Sequence, residues 1–395
     1  MAEQEKEAVV PNRRFPEFRD STAWTEARLK DLISVIAPPV KLLSSSSRLS
    51  GQFPIVDQSQ QSICGWTDDA SAVISKSPPF IVFGDHTCVL KLVQQPFAQG
   101  ADGIKILKAK AVVSTEYLFH SLSHRPLATE DYKRHFSILK ERRVFYPNFE
   151  TGEQQKIADC LTSLDKVIAA QGRKVKALKT YKRGLMQQLF PLEGETSPRL
   201  RFPAFRDAPE WNEAKAGTLF TNRSERGDDS LPIYSVTMTD GLVKRTSLGR
   251  RIDDLAEATG NKKAHRYDIA YNMMRMWQGA CGVAYEECMV SPAYVVLSPQ
   301  SDVHSPFYGY LFKLPQMLRL FTAHSRGLTE DRLRLYYQDF SNIPLLQPDL
   351  REQVRIADCL FALDARITTE SKKLADLKSH KKGLMQQLFP VPEDV

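Results

Sequence analysis

No apolar run in this 395-residue chain is long enough to cross a bilayer, which takes roughly 20 consecutive apolar residues. The opening stretch, MAEQEKEAVVPNRR, is polar and lacks the hydrophobic centre of a secretory leader. The expected setting is therefore cytoplasmic, with no membrane as partner. Cysteine is sparse. Cys64, Cys88, Cys160, Cys281, Cys288 and Cys359 form no C-x-x-C pair, which argues against a zinc site; reduced, mostly buried thiols and no metal are expected. No G-x-x-x-x-G-K-[ST] phosphate loop is present, which argues against ATP-driven work by this chain. Zincin and kinase motifs are missing too. Charge of one sign is not dominant: the net charge of +7 permits an acidic partner such as DNA without demanding one.

What is present is a duplication. Residues 153–191 and 352–390 align without a gap and agree at 22 of 39 positions. Upstream, Arg14-Phe15-Pro16-Glu17-Phe18-Arg19-Asp20 matches Arg201-Phe202-Pro203-Ala204-Phe205-Arg206-Asp207, with Trp24 and Trp211 following at the same distance. The offset is 187 residues in this pair and 199 in the other, so the second middle segment is 12 residues longer. Alike ends around unlike middles describe a shared frame carrying two independent readers.

Alternating steps of four and three through the first repeat meet Ile157, Leu161, Leu164, Ile168, Gln171, Val175, Leu178, Lys182, Leu185 and Leu189. The second repeat gives Ile356, Leu360, Leu363, Ile367, Glu370, Leu374, Leu377, Lys381, Leu384 and Leu388. The two polar breaks coincide. Sustained heptads of this kind predict two long helices, each about 50 Å, paired as a coiled coil whose polar core positions fix the register. Periodicity alone leaves parallel and antiparallel pairing open. Pro191 and Pro390 end the helices, and Gly172 requires no break because Ser371 stands in its place in the other copy. Arg173, Lys174, Lys176, Lys179, Lys182 and Arg183, repeated as Lys372, Lys373, Lys378, Lys381 and Lys382, form a basic stripe: a solvated face, or one turned to phosphate or a partner.

The middles read as two α+β modules. In the first, strands are expected over 53–56, 79–83, 89–93 and 104–113; in the second, over 231–236, 269–271 and 293–297. A helix carrying Tyr117-Leu118-Phe119 and its counterpart Tyr310-Leu311-Phe312, offset 193, follow the strands. Ser77-Pro78-Pro79-Phe80 is similar to the S-P-P-[YF] loop of amino methyltransferases. No F-x-G-x-G turn for adenosylmethionine accompanies it, and the second half has no counterpart. A strand entry with paired prolines is the reading taken, and no catalytic residue is assigned. Asp85-His86 lacks a neighbouring nucleophile or metal cluster, so a turn residue or a base contact is expected there.

The repeated Ile-Ala-Asp-Cys-Leu and Gly-Leu-Met-Gln-Gln-Leu-Phe-Pro, the Phe-Pro-x-Phe starts, and the segments 80–87 and 272–279 together resemble the specificity subunit (S subunit) of type I restriction-modification systems, over essentially the whole chain. One departure is that Pro147 stands six residues before Glu153 while Pro348 stands four before Glu352, so the first junction is expected to be loosened.

The resemblance implies an α+β fold: two similar target-recognition domains, residues 14–150 and 201–350, and two conserved helices, 151–191 and 351–390, with a linker at 192–200. The helices are expected to form an antiparallel coiled coil in a pseudo-two-fold object. It implies a non-catalytic, sequence-specific reader of double-stranded DNA, each variable domain taking one half of a bipartite asymmetric site. Two methylation subunits would dock on the helices and carry adenosylmethionine; two restriction subunits would bring ATP and Mg. This chain itself would hold no cofactor.

Base readout calls for Arg or Lys against guanine and Asn or Gln against adenine. The residues favoured for DNA binding are Gln58, Ser59, Gln60, Gln61, Trp66, His86 and Lys105 in the first module. In the second they are Thr237, Thr239, Lys244, Arg245, Arg250, Arg251, Arg275, Trp277 and Gln278. Trp66 and Trp277 could equally be packing residues, and Met273, Met274 and Met276 are expected in the core. Two other readings stay open: a scaffold with no DNA role, and the specificity part of a related methyltransferase or nuclease system.

Overall fold

The computed structural model describes residues 9–43, 47–74, 76–128, 135–228, 230–248, 260–329 and 332–390. The chain forms two compact units, Met1–Arg173 with Ser371–Val395, and Lys174–Glu370. Both are mixed helix and sheet.

The first unit is built on a four-stranded antiparallel sheet in the order Ile33–Ile36, Ile104–Ala109, Phe80–Gly84, Leu90–Val93. Successive side chains of a strand point to opposite faces, and the strand Phe80–Gly84 is buried on both. Ile81 and Phe83 enter a core with Leu107, Trp24, Tyr117, Ile157 and Leu161. Phe80 and Val82 enter another with Ile36, Val56, Phe97, Ile104 and Ile106. The second core is roofed by a smaller sheet in the order Lys41–Leu42, Ala98–Gly100, Phe53–Val56, Gly65–Thr67.

The second unit repeats the main sheet with Phe220–Arg223, Tyr294–Pro299, Ile269–Asn272 and Cys281–Val283 in the same order. Its register matches too: Ile81 faces Leu107, and Ile269 faces Leu297. Its outer layer is two antiparallel pairs, Tyr234–Val236 with Leu242–Lys244 and Lys262–Ala264 with Cys288–Val290. Several strands are shorter than their apolar runs. The 104–113 run ends at Ala109 because Ser114 already caps the helix Thr115–His124, its Oγ accepting the Tyr117 N–H at 3.0 Å. The 231–236 run starts only at Tyr234, since Pro232 has no N–H to give a ladder.

The matched ends have a direct structural reason. Arg14 grips Glu153 in the first turn of the long helix Glu153–Leu189 (Nε to Oε1 2.9 Å), and its other nitrogen donates to the Ser21 carbonyl. Arg201 does the same to Glu352 of the helix Leu350–Leu388 (2.9 Å) and to the Ala208 carbonyl. Both carboxylates are buried. Hydrogen bonding to the carboxylate holds each guanidinium above its ordinary pKa, against desolvation. The motif Arg-Phe-Pro-x-Phe thus docks the start of each half onto its own long helix.

In each unit the start of one long helix lies antiparallel to the end of the other. In the first unit Ile157 and Leu161 share a core with Met385 and Leu388, and Asp165 pairs with Lys381 at 2.5 Å. In the second, Leu189 shares a core with Ile356 and Leu360, Asp364 pairs with Lys182 at 2.7 Å, and Lys174 meets Glu370. The polar break at Lys182 and Lys381 is therefore a pair of equivalent interhelical ion pairs. All sixteen apolar heptad residues are buried or half-buried, and the first helix runs through Gly172 unbroken. Lys174, Lys182 and Lys381 of the basic stripe are spent on these pairs.

Two expectations are corrected. The Tyr-Leu-Phe segments are not equivalent. The Gln154 side chain accepts the Ser114 N–H, and Gln353 accepts the His304 N–H, both at 2.8 Å, which sets the offset at 190. Tyr117, between Trp24 and Phe389, then corresponds to Phe307, between Trp211 and Phe190. The tripeptide match was one helical turn out of place. The first helix junction is not loosened either. Gln154 and Gln353 donate equally to Pro147 and Pro348 carbonyls, at 2.8 and 2.9 Å. The two extra residues are taken up by a 3-10 turn, Phe149–Thr151, closed by Gly152 in the left-handed region (φ 79°).

The six cysteines are free: Cys88, Cys281 and Cys288 are buried, the other three half-buried. No helix among the described residues is long and apolar enough to cross a membrane.

Candidate nucleic-acid interface

In the first unit the chain leaves strand Phe53–Val56 into the loop 57–64, and leaves strand Phe80–Gly84 into the turn 85–89. These two excursions are tied together. Thr87 Oγ1 donates to the Gln58 carbonyl at 2.7 Å. Lys91, buried on the strand Leu90–Val93, donates to the carbonyls of Asp57 (2.7 Å) and Gln61 (2.5 Å) and approaches Asp57 Oδ1 at 3.4 Å. A buried ammonium is tolerated only with such partners. Asp57 also accepts from the Ser59 N–H and hydroxyl, at 3.0 and 2.6 Å. Burial alone would raise the Asp57 pKa, but the Ser59 bonds and the Lys91 charge leave it below its ordinary value. Gly103 (φ 86°) lies against the Gln58 amide, where a Cβ would come within about 3 Å of three of its atoms.

The second unit has equivalent excursions. The hairpin between Tyr234–Val236 and Leu242–Lys244 is closed by Thr237, whose N–H donates to the Gly241 carbonyl (2.7 Å) while its Oγ1 accepts the Asp240 N–H (2.9 Å). After strand Ile269–Asn272 comes the turn 273–280. Asn272 Oδ1 accepts the Met274 N–H at 2.9 Å, and the Arg275 carbonyl accepts from Gln278 (3.0 Å) and Ala280 (3.1 Å). Gly279 adopts φ 84°, and Met276 is fully buried as the anchor. Lys313 Nζ ties the two excursions, donating to the carbonyls of Met238 (3.0 Å) and Gly279. Here the hairpin also lies directly on Gly282: a Cβ there would stand 2.2 Å from Leu242 N.

The structure therefore gathers Gln58, Ser59, Gln60 and Gln61 beside the turn holding His86. It gathers Thr237 and Thr239 beside the turn holding Arg275, Trp277 and Gln278. Gln60, Gln61, His86, Thr239 and Arg275 are exposed. Lys105 and His86 line one open groove with Val35, Pro38, Lys41 and Asp102, and Lys105 Nζ sits 5.8 Å above the Phe136 ring. Trp66 stands apart on the strand Gly65–Thr67, opposite Pro54. Ser59 and Thr237 hydroxyls are used within their own turns. Trp277 is half-buried, with its Nε1 donating to the Met274 carbonyl at 3.1 Å. Lys244 pairs with Glu286 at 3.1 Å, and Arg245 is half-buried and partnered. Arg250 and Arg251 lie outside the described residues. Of the three methionines, Met276 is core and Met273 packs on it, but Met274 is 43 % exposed: the turn presents it outward. Asp85 is committed to structure, its Oδ1 accepting the Phe136 N–H at 2.8 Å.

Lys91 and Lys313 escaped the sequence reading. A lysine within the apolar run 89–93 was the signal for the first. The second follows its helix with nothing to mark it.

The two units thus present two stapled loop pairs of different chemistry on sheets of the same order and register. Residues 215–379 match the family model for the type I restriction modification DNA specificity domain. The fold is similar to the crystal structure of the type I restriction-modification S subunit from M. genitalium, with TM-score 0.65 and 14% identity over 97% of this chain and 100% of that one. It is also similar to a chain from a structure concerned with complex assembly and conformational transition of the type I R-M system, with TM-score 0.50 and 15% identity over 93% of this chain and 97% of that one. The resemblance read from the sequence thus stands on the family model over the second half and on the fold over nearly the whole chain.

Proposed function

We propose that this chain is the DNA-reading specificity subunit of a type I restriction-modification enzyme, with each stapled loop pair taking one half of a bipartite, asymmetric site. The observation that carries the reading is the contrast at equivalent places: loops 57–64 and 85–89 in one half, 237–241 and 273–280 in the other, on sheets of the same order and register. Conserved frames with divergent exposed loops suit a reader whose two targets differ. Loops held by the buried Lys91 in one half and the half-buried Lys313 in the other present their side chains preorganised, which lowers the ordering cost of binding.

In this reading the long helices space the half-sites. A helix of about 50 Å corresponds to about 15 base pairs, an upper bound on the separation. Their matched surfaces recruit two copies of one methylation subunit, because like surfaces bind like partners. Adenosylmethionine belongs to that subunit; ATP and Mg belong to restriction subunits, two of which can join. The chain contributes recognition and no catalysis, in the cytoplasm.

The test is selection of fragments from a random duplex library by the chain assembled with its methylation subunits. Enrichment of two conserved blocks at one fixed separation, weakening steeply with salt, is expected. No enrichment, or binding indifferent to sequence, would instead leave a scaffold.

A further inference from the structure

We propose that Arg275 reads a guanine in the half-site of the second domain, an assignment that rests on the reading of the chain as a DNA specificity subunit. The turn 273–280 is fixed from below. Met276 is buried, Asn272 caps Met274, Gly279 closes the turn in the left-handed region, and Lys313 holds its end. Arg275 projects from this rigid platform and is exposed, with no ion pair among the described residues. The nearby cation Lys244 is held by Glu286, and Lys313 is consumed by two carbonyls.

A phosphate track calls for several free cations in a row. Among the described residues of the turn 273–280, Arg275 is the one cation, flanked in sequence by the exposed Met274 and by Trp277, whose indole is tied to the Met274 carbonyl. That setting suits a base edge: the guanidinium fork matches the O6 and N7 acceptors of guanine, and a thioether can lie against a thymine methyl. The equivalent turn of the first domain, Asp85-His86-Thr87-Cys88-Val89, holds no arginine or lysine. The guanine contact proposed for Arg275 therefore has no counterpart in the equivalent turn of the first domain.

The experiment compares wild type, Arg275→Ala and Arg275→Lys, each co-expressed with the methylation subunits of its own system. The host is free of other adenine methylation, and modified adenines are mapped across its genome. The half governed by the second domain is identified by exchanging residues 201–350. Wild type should demand a guanine in that half. Both variants should lower the preference for guanine over the other bases at that position by roughly 10- to 100-fold, leaving the other half unchanged. Arg275→Lys keeps the charge and loses the fork, so it separates base reading from phosphate attraction. An intact motif with methylation reduced evenly by Arg275→Ala and restored by Arg275→Lys would make Arg275 a phosphate contact and overturn the proposal. A motif with no guanine in that half would overturn it while leaving the specificity reading in place. A wild-type complex that assembles and methylates without any site preference would overturn both.

Discussion

The two halves solve one problem with different residues at the same place. Lys91 and Gly282 occupy equivalent positions, since Val82 faces Lys91 and Ala270 faces Gly282 on matching strands. In the first half the strand carries the ammonium that holds the loop 57–64. In the second the equivalent position is a glycine, the hairpin lies directly on its backbone, and the ammonium comes from Lys313 beyond the sheet. What is held constant is the stapling of two loops, not the staple. The frame shows the opposite behaviour: Arg14–Glu153 and Arg201–Glu352 keep both residues and geometry. Contacts within the frame are repeated, and contacts that hold the loops are reinvented.

The largest effect that can break this comparison is at the repeated ion pair. Removing one partner of a buried pair leaves an uncompensated charge, so Glu352→Ala should cost about 3–5 kcal/mol in chemical denaturation of the full chain. Glu153→Ala should cost about 1 kcal/mol less, because Trp211 Nε1 also donates to Glu352 while Trp24 Nε1 has no partner among the described residues. Equal costs would mean the indole bond is immaterial.

Next comes acid sensitivity, which should be larger in the first half, although burial lowers the pKa of His304 in the second as well. His120 is buried beside Thr162, Asp165 and Lys381, and burial pushes its pKa down to about 4, with Lys381 acting in the same direction and Asp165 against it. Between the ordinary value near 6.5 and about 4, the unfolded chain binds the proton and the folded one resists it. Stability should therefore fall as pH drops through that window, by on the order of 3 kcal/mol, and stay flat above it. The second half has Tyr310 in this place, its hydroxyl donating to Asp364 at 2.8 Å. His120→Tyr should flatten the slope between pH 6.5 and 4; an unchanged slope would locate the acid sensitivity elsewhere.

Smaller again are the staples. Gly282→Ala drives a methyl into the hairpin backbone and should cost about 1–3 kcal/mol. Lys91→Met strips the Asp57 and Gln61 carbonyls of their donor, also at about 1–3 kcal/mol. In the assembled complex each should disturb one half of the recognised site. Disturbance of both halves by either variant would contradict the independence of the two readers. Smallest is Tyr310→Phe, about 1 kcal/mol by thermal unfolding, for the lost bond to Asp364.

The frame was legible because its physics is periodic. Heptads from Ile157 to Leu189 and from Ile356 to Leu388 marked the helices, and their coincident breaks at Lys182 and Lys381 marked what became interhelical pairs. Arg14 and Arg201 were visible as repeats, but their partners Glu153 and Glu352, 139 and 151 residues away, were not visible as partners. The Tyr-Leu-Phe match failed for an instructive reason: the conserved feature is an aromatic between a tryptophan and a phenylalanine, and Tyr117 and Phe307 fill it with different residues. The candidate interface was half legible. Polar loops between strands drew attention to Gln58–Gln61 and Arg275–Gln278, yet which hydroxyls are spent inside their own turns depends on backbone geometry. Lys313 joins two loops 34 and 75 residues away, which no local pattern records.

The most direct measurement exchanges residues 20–150 for those of another chain with the same frame, keeps the second half intact, and maps methylated adenines in the reassembled complex. Two independent readers predict a split motif in which one half is replaced and the other retained at unchanged spacing. A motif altered in both halves, or altered in neither, would contradict the account.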